Sequence, residues 1–267
     1  MLISVIVPIY YGKKYILNMV SMIQKNQNKL NDNYRIEIIF INDSPEEQIE
    51  LNEYVKDTDC NVRLYNNKEN SGIHYSRVNG LKYANGEYIV FLDQDDAITE
   101  NYFASQLKLI GSADVVVANG ISQYANYNKI LYKYGIMQWT VKHIWFYTKF
   151  DCRIISPGQC LIKKESIPKE WKENIIKKNG SDDYYLWLLM LQYNCKFVIN
   201  RDKLYTHVFT NNNTSLNIEG MEKSVEEVLY YLDGVIGKRH IDLIKKRIYS
   251  NGRKSILVKI VERMNKE

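Results

Sequence analysis

Three carboxylates occupy four positions in Asp93-Gln94-Asp95-Asp96, directly after the apolar run of "GEYIVFL". Like charges this close repel, and a carboxylate at the end of a buried strand is costly unless something neutralises it. A hard divalent cation would do so. Mg2+ or Mn2+ takes oxygen ligands in an octahedral array, shared between carboxylates and the phosphates of a substrate. In extended chain alternate side chains share a face, so Asp93 and Asp95 can address one ion. A solvated turn before a helix starting near Asn101 would accommodate the same acids.

Four other residues have comparable chemistry. Asp43, in "FINDSP", can accept hydrogen bonds from a nucleobase N–H or a ribose hydroxyl, or can close an Asx-turn. Asp183, in "GSDDYYLW", stands at a helix start as a candidate general base; the helix N-terminus favours the carboxylate and so lowers its pKa. An acidic pair is also what any helix start favours. His207, in "KLYTHVFTNNNTS", offers a third ligand to a metal or phosphate, against the plainer role of a packed or surface histidine. Arg77 offers a planar fork to a diphosphate, or lies on a helix surface.

The elements around these residues alternate. Strands are predicted over 3–8, 34–43, 61–66, 87–93 and 113–119, and helices over 15–27, 45–56, 71–84 and 101–110. Such alternation specifies a three-layer α/β sheet with ligands at the carboxyl ends of its strands. Asp43 and the 93–96 cluster then fall on one edge of one crevice. Residues 120–180 are rich in Tyr, Trp and Asn, have weaker periodicity and are expected to form an acceptor-facing subdomain with irregular strands. A strong helix follows over 182–194, then a strand over 195–200 and helices over 219–236, 238–250 and 253–265.

Composition bounds the rest. The chain has 267 residues, 45% hydrophobic and 25% charged, with a net charge of +5. From Lys238 to Glu267 ten Lys/Arg face three Asp/Glu, a local +7, so the remainder sums to about −2. A basic tail on a near-neutral body suits a polyanionic neighbour, membrane headgroups or nucleic acid. The four cysteines form no C-x-x-C pair, which fits a reducing compartment. No apolar run reaches the roughly 18–20 residues of a membrane span, and the N-terminal run resembles no signal peptide. A cytoplasmic protein is expected, with any membrane contact peripheral. P-loop, dinucleotide-fingerprint and nucleophile-elbow motifs are all missing.

In order, "ISVIVPIYYGKKYI", "INDS", "ENSGIHYSRVNGLKYANGEYIVFLDQDD", "DDYYLWLLML" and "LYTHVFTNNNTS" resemble the motifs of the inverting family-2 glycosyltransferases, which have the GT-A fold. The resemblance spans about residues 1–217. It implies an α/β GT-A fold, with 1–118 as the nucleotide-sugar-binding half and 119–217 as the acceptor-binding half. A helical extension over 218–267 completes the chain. It implies transfer of a sugar from a nucleotide sugar, of the UDP type, to a saccharide, lipid-linked or protein-linked hydroxyl, with Mn2+ or Mg2+ as cofactor. Residue by residue, Pro8, Tyr10 and Asp43 would shape the nucleobase pocket, Arg77 would lie near the nucleotide and Asp93 would approach the ribose. Asp95 and His207 would hold the metal. Asp183 would deprotonate the acceptor, and Asp96, Asp182 and Trp187 would contact acceptor or donor sugar. Asn42, Val78 and Asp182 depart from the family pattern, which usually has Asp, Asn and Glu there. A sugar nucleotidyltransferase and an inactive binding module are the rival readings. For the basic C-terminal helices three roles stand open: peripheral membrane anchor, packing on the body, or dimer contact. No nucleic-acid partner is expected.

Overall fold

The structure, a computed structural model, describes residues 1–210, 213 and 216–249. Its strands are β1 (Leu2–Ile9), β2 (Arg35–Asn42), β3 (Asn61–Asn66), β4 (Tyr88–Phe91), β5 (Ala97–Ile98), β6 (Val115–Gln123), β7 (Asn128–Ile130), β8 (Cys160–Lys163) and β9 (Phe197–Val208). Its helices are α1 (Ile16–Gln27), α2 (Ile73–Tyr83), α3 (Tyr102–Ile110), α4 (Gly135–Trp139), α5 (Ile144–Lys149), α6 (Lys169–Glu173), α7 (Asp182–Gln192), α8 (Ile218–Leu232) and α9 (Lys238–Tyr249).

The strands join in one sheet in the order β3-β2-β1-β4-β8-β6-β9-β5, with β7 paired to β6. β1 runs parallel to β2 and β4, and β2 runs parallel to β3. The β-branched runs of β1 and β2 are buried on both faces, as strands covered by helices on each side require. On one face Val5, Val7 and Phe40 meet Ile16, Met19 and Ile23 of α1 and Phe103 of α3. On the other, Ile6, Ile39 and Phe91 meet Val78 and Leu81 of α2, with α7 and Trp171 beside them. The three-layer expectation holds.

Several elements differ from the sequence prediction: the irregular strands expected over 120–180 are largely the short helices α4, α5 and α6, the strand expected over 195–200 runs on to Val208, and two further differences frame the site. β8 enters antiparallel between β4 and β6, turning the predicted parallel sheet into a mixed one. The helix expected over 45–56 is a turn at Leu51–Glu53. Polar side chains tie that segment to its surroundings: Asn42 Nδ2 donates to the Glu47 carbonyl (3.1 Å), Lys13 N donates to Glu47 (3.2 Å), and Tyr11 bonds Glu46. These bonds fix the backbone in a non-helical path. Asn42 also donates to Asn66 Oδ1 at 3.0 Å, so the amide that departs from the family pattern supplies donors an aspartate lacks.

The C-terminal helices pack on the body. Ile241 and Ile244 of α9 are buried, and Arg247 donates from Nη1 to the Tyr147 carbonyl (2.9 Å) while its guanidinium lies 5.3 Å from the Tyr184 ring centroid. Of the three roles open for 238–250, packing on the body is what these residues show. The helix expected over 253–265 lies outside the described residues. Among the described residues no helix is long and apolar enough to cross a membrane.

Ile244→Ala empties a fully buried site between α9 and α5 and should cost about 2–5 kcal/mol, read as a lower urea midpoint. Lys245→Ala, on the exposed side of the same turn, should leave the midpoint nearly unchanged.

Candidate active site

Arg77 lies in the interior of α2 and is 3% exposed. Its Nη1 donates to Asp182 Oδ2 (2.7 Å) and its Nη2 to Asp93 Oδ1 (2.5 Å), joining the first turn of α7 to the end of β4. Burial alone would favour the neutral guanidine; Asp182, Asp93 and Asp183 outweigh it and raise the pKa. Arg77 therefore balances protein acids in this structure, and both amino groups expected to face a diphosphate are committed. Ser156 Oγ donates to the other Asp93 oxygen at 3.2 Å, so this carboxylate is held from two sides.

Asp183 follows one residue after the clamped Asp182. Its Oδ1 accepts from Tyr184 N (2.7 Å), the kind of contact that favours a carboxylate at a helix start. Burial, then repulsion from Asp182, nevertheless pushes its pKa up to about 8, with Arg77 opposing. The lowered value expected from the helix N-terminus is thus corrected, because desolvation outweighs the dipole at this position. An acid poised near neutral pH matches the requirement of a general base.

The remaining acids of the cluster have different surroundings. Asp96 is 4% exposed and accepts from Val208 N (3.0 Å) and from the Tyr205 hydroxyl, and it faces His207 Nδ1 at 3.1 Å. The expected contact of Asp96 with a sugar is overturned, since its oxygens are spent on β9. The pairing leaves His207 Nε2 without a hydrogen bond among the described residues; a buried carboxylate on Nδ1 commonly orients a histidine for ligation in this way. Asp95 bonds no other side chain among the described residues, and burial, Asp96 and Asp93 push its pKa up to about 6 against a bond from its own backbone. Asp95 and His207 Nε2 are thus the donor atoms available to a cation. Among the described residues no group of three His, Cys, Asp or Glu side chains converges to hold an ion by itself. A site built on this pair is completed by oxygens from elsewhere, as a metal carried with phosphates provides.

Asp43 is buried and accepts from Asn67 Nδ2 (2.7 Å), Ser71 N (2.8 Å) and Gly72 N (2.8 Å). It satisfies backbone donors at the start of α2, where Gly72 has a φ of +86° that favours glycine. The Asx-turn is closed instead by Asn42, whose Oδ1 accepts from Ser44 N. Three of the carboxylate's four lone-pair positions are taken, leaving one for a ligand. Pro8 is buried in β1, and Tyr10, half exposed, stands at the lip of the crevice. Asp182 is 3% exposed and committed to Arg77, so the predicted acceptor contact is corrected here too. Trp187 lies in the core, fully buried with its ring 6.0 Å from that of Phe197, and cannot meet a substrate.

Two residues at the crevice escaped the sequence reading. Gln94, treated as a spacer within D-x-D, accepts from Tyr10 N (2.9 Å) and donates to Tyr10 O (3.1 Å), pinning the loop after β1. Ser156 sits in "SPGQ", a capping box with proline at its first turn, and that pattern was available in the sequence.

A mixed sheet with helices on both faces and acids gathered at its strand ends is an α/β architecture that takes ligands at the carboxyl ends of its strands. Residues 4–171, more than half of the chain, match the family described as Glycosyl transferase family 2, and the chain belongs to that family. It is a glycosyltransferase by family, which sets aside the nucleotidyltransferase reading. An uncharacterized glycosyltransferase of Haemophilus influenzae is 30% identical over 207 residues, covering 77% of this chain and 76% of the relative. The Escherichia coli UDP-Glc:alpha-D-GlcNAc-diphosphoundecaprenol beta-1,3-glucosyltransferase WfgD is 25% identical over 210 residues, covering 76% of this chain and 77% of WfgD. Among solved structures, residues 1–349 of S. aureus TarS in complex with UDP-GlcNAc align with a TM-score of 0.65 at 17% identity, over 91% of this chain and 70% of that one. The mannosyltransferase PcManGT from Pyrobaculum calidifontis, in complex with GDP-Man and Mn2+, gives 0.62 at 14% identity, over 91% and 69%. The fold is GT-A.

Arg77→Met should cost about 3–5 kcal/mol in chemical denaturation, because it strands Asp93 and Asp182 without their cation. Asp183→Asn should raise the melting temperature. The wild-type acid has a folded pKa raised above its unfolded value, so its penalty is absent below pH ~4 and grows as pH rises towards 8. The gain from the amide should therefore be larger at pH 9 than at pH 4.

Proposed function

We propose that the crevice transfers a sugar from a uridine-type nucleoside-diphosphate sugar to an acceptor hydroxyl, with inversion at the anomeric carbon and Asp183 as the general base. The observation that carries this reading is the place of Asp183 in the first turn of α7, one residue after Asp182 in the Asp182–Arg77–Asp93 bridge, where burial and Asp182 raise its pKa. The names of two similar proteins, WfgD with UDP-Glc and TarS with UDP-GlcNAc, support the donor class. The Mn2+ in PcManGT supports a divalent metal.

Asp95 and His207 would hold Mn2+ or Mg2+, which as a Lewis acid would neutralise charge developing on the departing diphosphate. Asp96 keeps Nδ1 of His207 occupied so that Nε2 is the nitrogen presented. Asp43, Pro8 and Tyr10 line the nucleobase side, and Gln94 keeps Tyr10 in register with the acids of the same strand end. Asp93, fixed by Arg77 and Ser156, presents its remaining lone pairs to the ribose. Asp183 accepts the acceptor's proton as that oxygen bonds to the anomeric carbon and the bond to the diphosphate breaks.

Asp183 must be ionised to act, so kcat/KM should rise with pH through about 8 and level off above it. Asp183→Asn should lower transfer by about a hundredfold or more while nucleotide titrations stay unchanged. Retained transfer would sink the assignment. Asp95→Ala should weaken Mn2+ binding measured by electron paramagnetic resonance in the presence of nucleotide; an unchanged isotherm would remove Asp95 from the metal site.

A further inference from the structure

We propose that the surface formed by α4 and α5 seats the enzyme on an anionic lipid bilayer. Residues 115–150 contain no Asp or Glu, and they carry Lys129, Lys133, Lys142 and Lys149, all exposed. The same region concentrates exposed apolar side chains. Of 19 exposed large hydrophobic residues among those described, nine fall between Tyr127 and Ile155. Both exposed tryptophans, Trp139 and Trp145, are here, while Trp171 and Trp187 are fully buried. Soluble surfaces seldom gather apolar groups in one continuous patch without a partner.

The patch is continuous and built on a fixed support. Rings run from Trp139 to His143 (4.0 Å between centroids), to Phe146, to Trp145 (5.0 Å) and to Phe150 (5.5 Å). α5 turns Tyr147 and Thr148 inward and leaves Trp145, Lys149 and Phe150 outward. The inward side is anchored: Tyr184 Oη and Arg247 Nη1 both donate to the Tyr147 carbonyl, and Thr148 Oγ1 lies 3.2 Å from His240 Nδ1.

The chemistry of the patch selects its occupant. A saccharide platform sets aromatic faces among carboxylates and amides that bond hydroxyls. Here the exposed residues of the same stretch are Ile136, Met137, Lys142 and Lys149, and the carboxylate that follows it, Asp151, is paired with Arg247. Tryptophan and phenylalanine with lysine are the residues of a membrane–water interface, where the rings enter the headgroup layer and the ammonium groups meet lipid phosphates. Five residues link Phe150 to Ser156, which bonds Asp93, so the patch and the crevice are joined by a short segment of chain. The surface is independent of the transfer chemistry proposed above, and the test separates the two.

The test uses the full chain with vesicles of phosphatidylglycerol and phosphatidylcholine, against phosphatidylcholine alone. The protein should sediment with the anionic vesicles, and its tryptophan emission should shift to the blue and be quenched by brominated acyl chains. Trp139→Ser/Trp145→Ser should weaken vesicle binding and abolish the shift, and Lys142→Gln/Lys149→Gln should weaken binding by about tenfold. Both variants should keep the circular-dichroism melt and the UDP titration of the parent. A wild-type chain that ignores anionic vesicles, or a tryptophan variant that binds them as the parent does, overturns the proposal. So does self-association that the tryptophan variant abolishes, which makes the patch a dimer contact. Quenching of the parent's emission by soluble oligosaccharide without lipid would make it a saccharide platform.

Discussion

The bridge from Asp93 through Arg77 to Asp182 joins three parts of the chain that are far apart in sequence, and the geometry of the crevice hangs on it. A guanidinium this deeply buried is tolerable because two carboxylates face it, and each acid is tolerable because the guanidinium faces them. The bridge fixes the end of β4 against the first turn of α7. It therefore sets where Asp183 stands relative to Asp95, although neither touches Arg77 by a hydrogen bond. Asp183 inherits its raised pKa from the same arrangement: burial and Asp182 outweigh the single guanidinium.

The acids of the 93–96 cluster began as equivalent charges and end with separate tasks. Asp93 is held by Arg77 and Ser156, Asp95 is left without a side-chain partner, and Asp96 is spent on β9. Gln94 between them ties the strand end to the loop carrying Tyr10. Three of these four consecutive residues thus reach different neighbours, and Asp95 is left over. Residues 93–96 form a turn rather than the extended chain expected, closed by Asp96 N donating to the Asp93 carbonyl at 3.2 Å, and the turn separates their side chains.

Local periodicity made most of the fold legible. β3 was bounded correctly, and α1, α2, α3 and α7 fell within two residues of their observed ends, because apolar spacing and capping act over a few positions. β8 was not legible, since a four-residue strand paired antiparallel between two others depends on partners tens of residues away. The helix expected at 45–56 failed for a related reason: its polar side chains found partners in another loop. In the candidate site, residue types near strand ends and at a helix start nominated Asp43, Asp93, Asp95, Asp183 and His207. What composition could not convey was which acids are already spent. Asp96, Asp182 and Trp187 carry suitable chemistry, and only the three-dimensional partners of each show that it faces inward.

The packing of α9 on α5 also bears on how the protein is made. α5 belongs to the aromatic stretch near the middle of the chain, yet its inward side is closed by Arg247 and His240, about a hundred residues later. A ribosome delivers residues in order, and domains complete their packing as later segments emerge. The stretch from Trp139 to Phe150 therefore leaves the exit tunnel well before its cover does. Until α7 and then α9 emerge, the nascent chain shows the inward side of α5 to its surroundings as well, and a chaperone that holds exposed aromatic segments would find a target there.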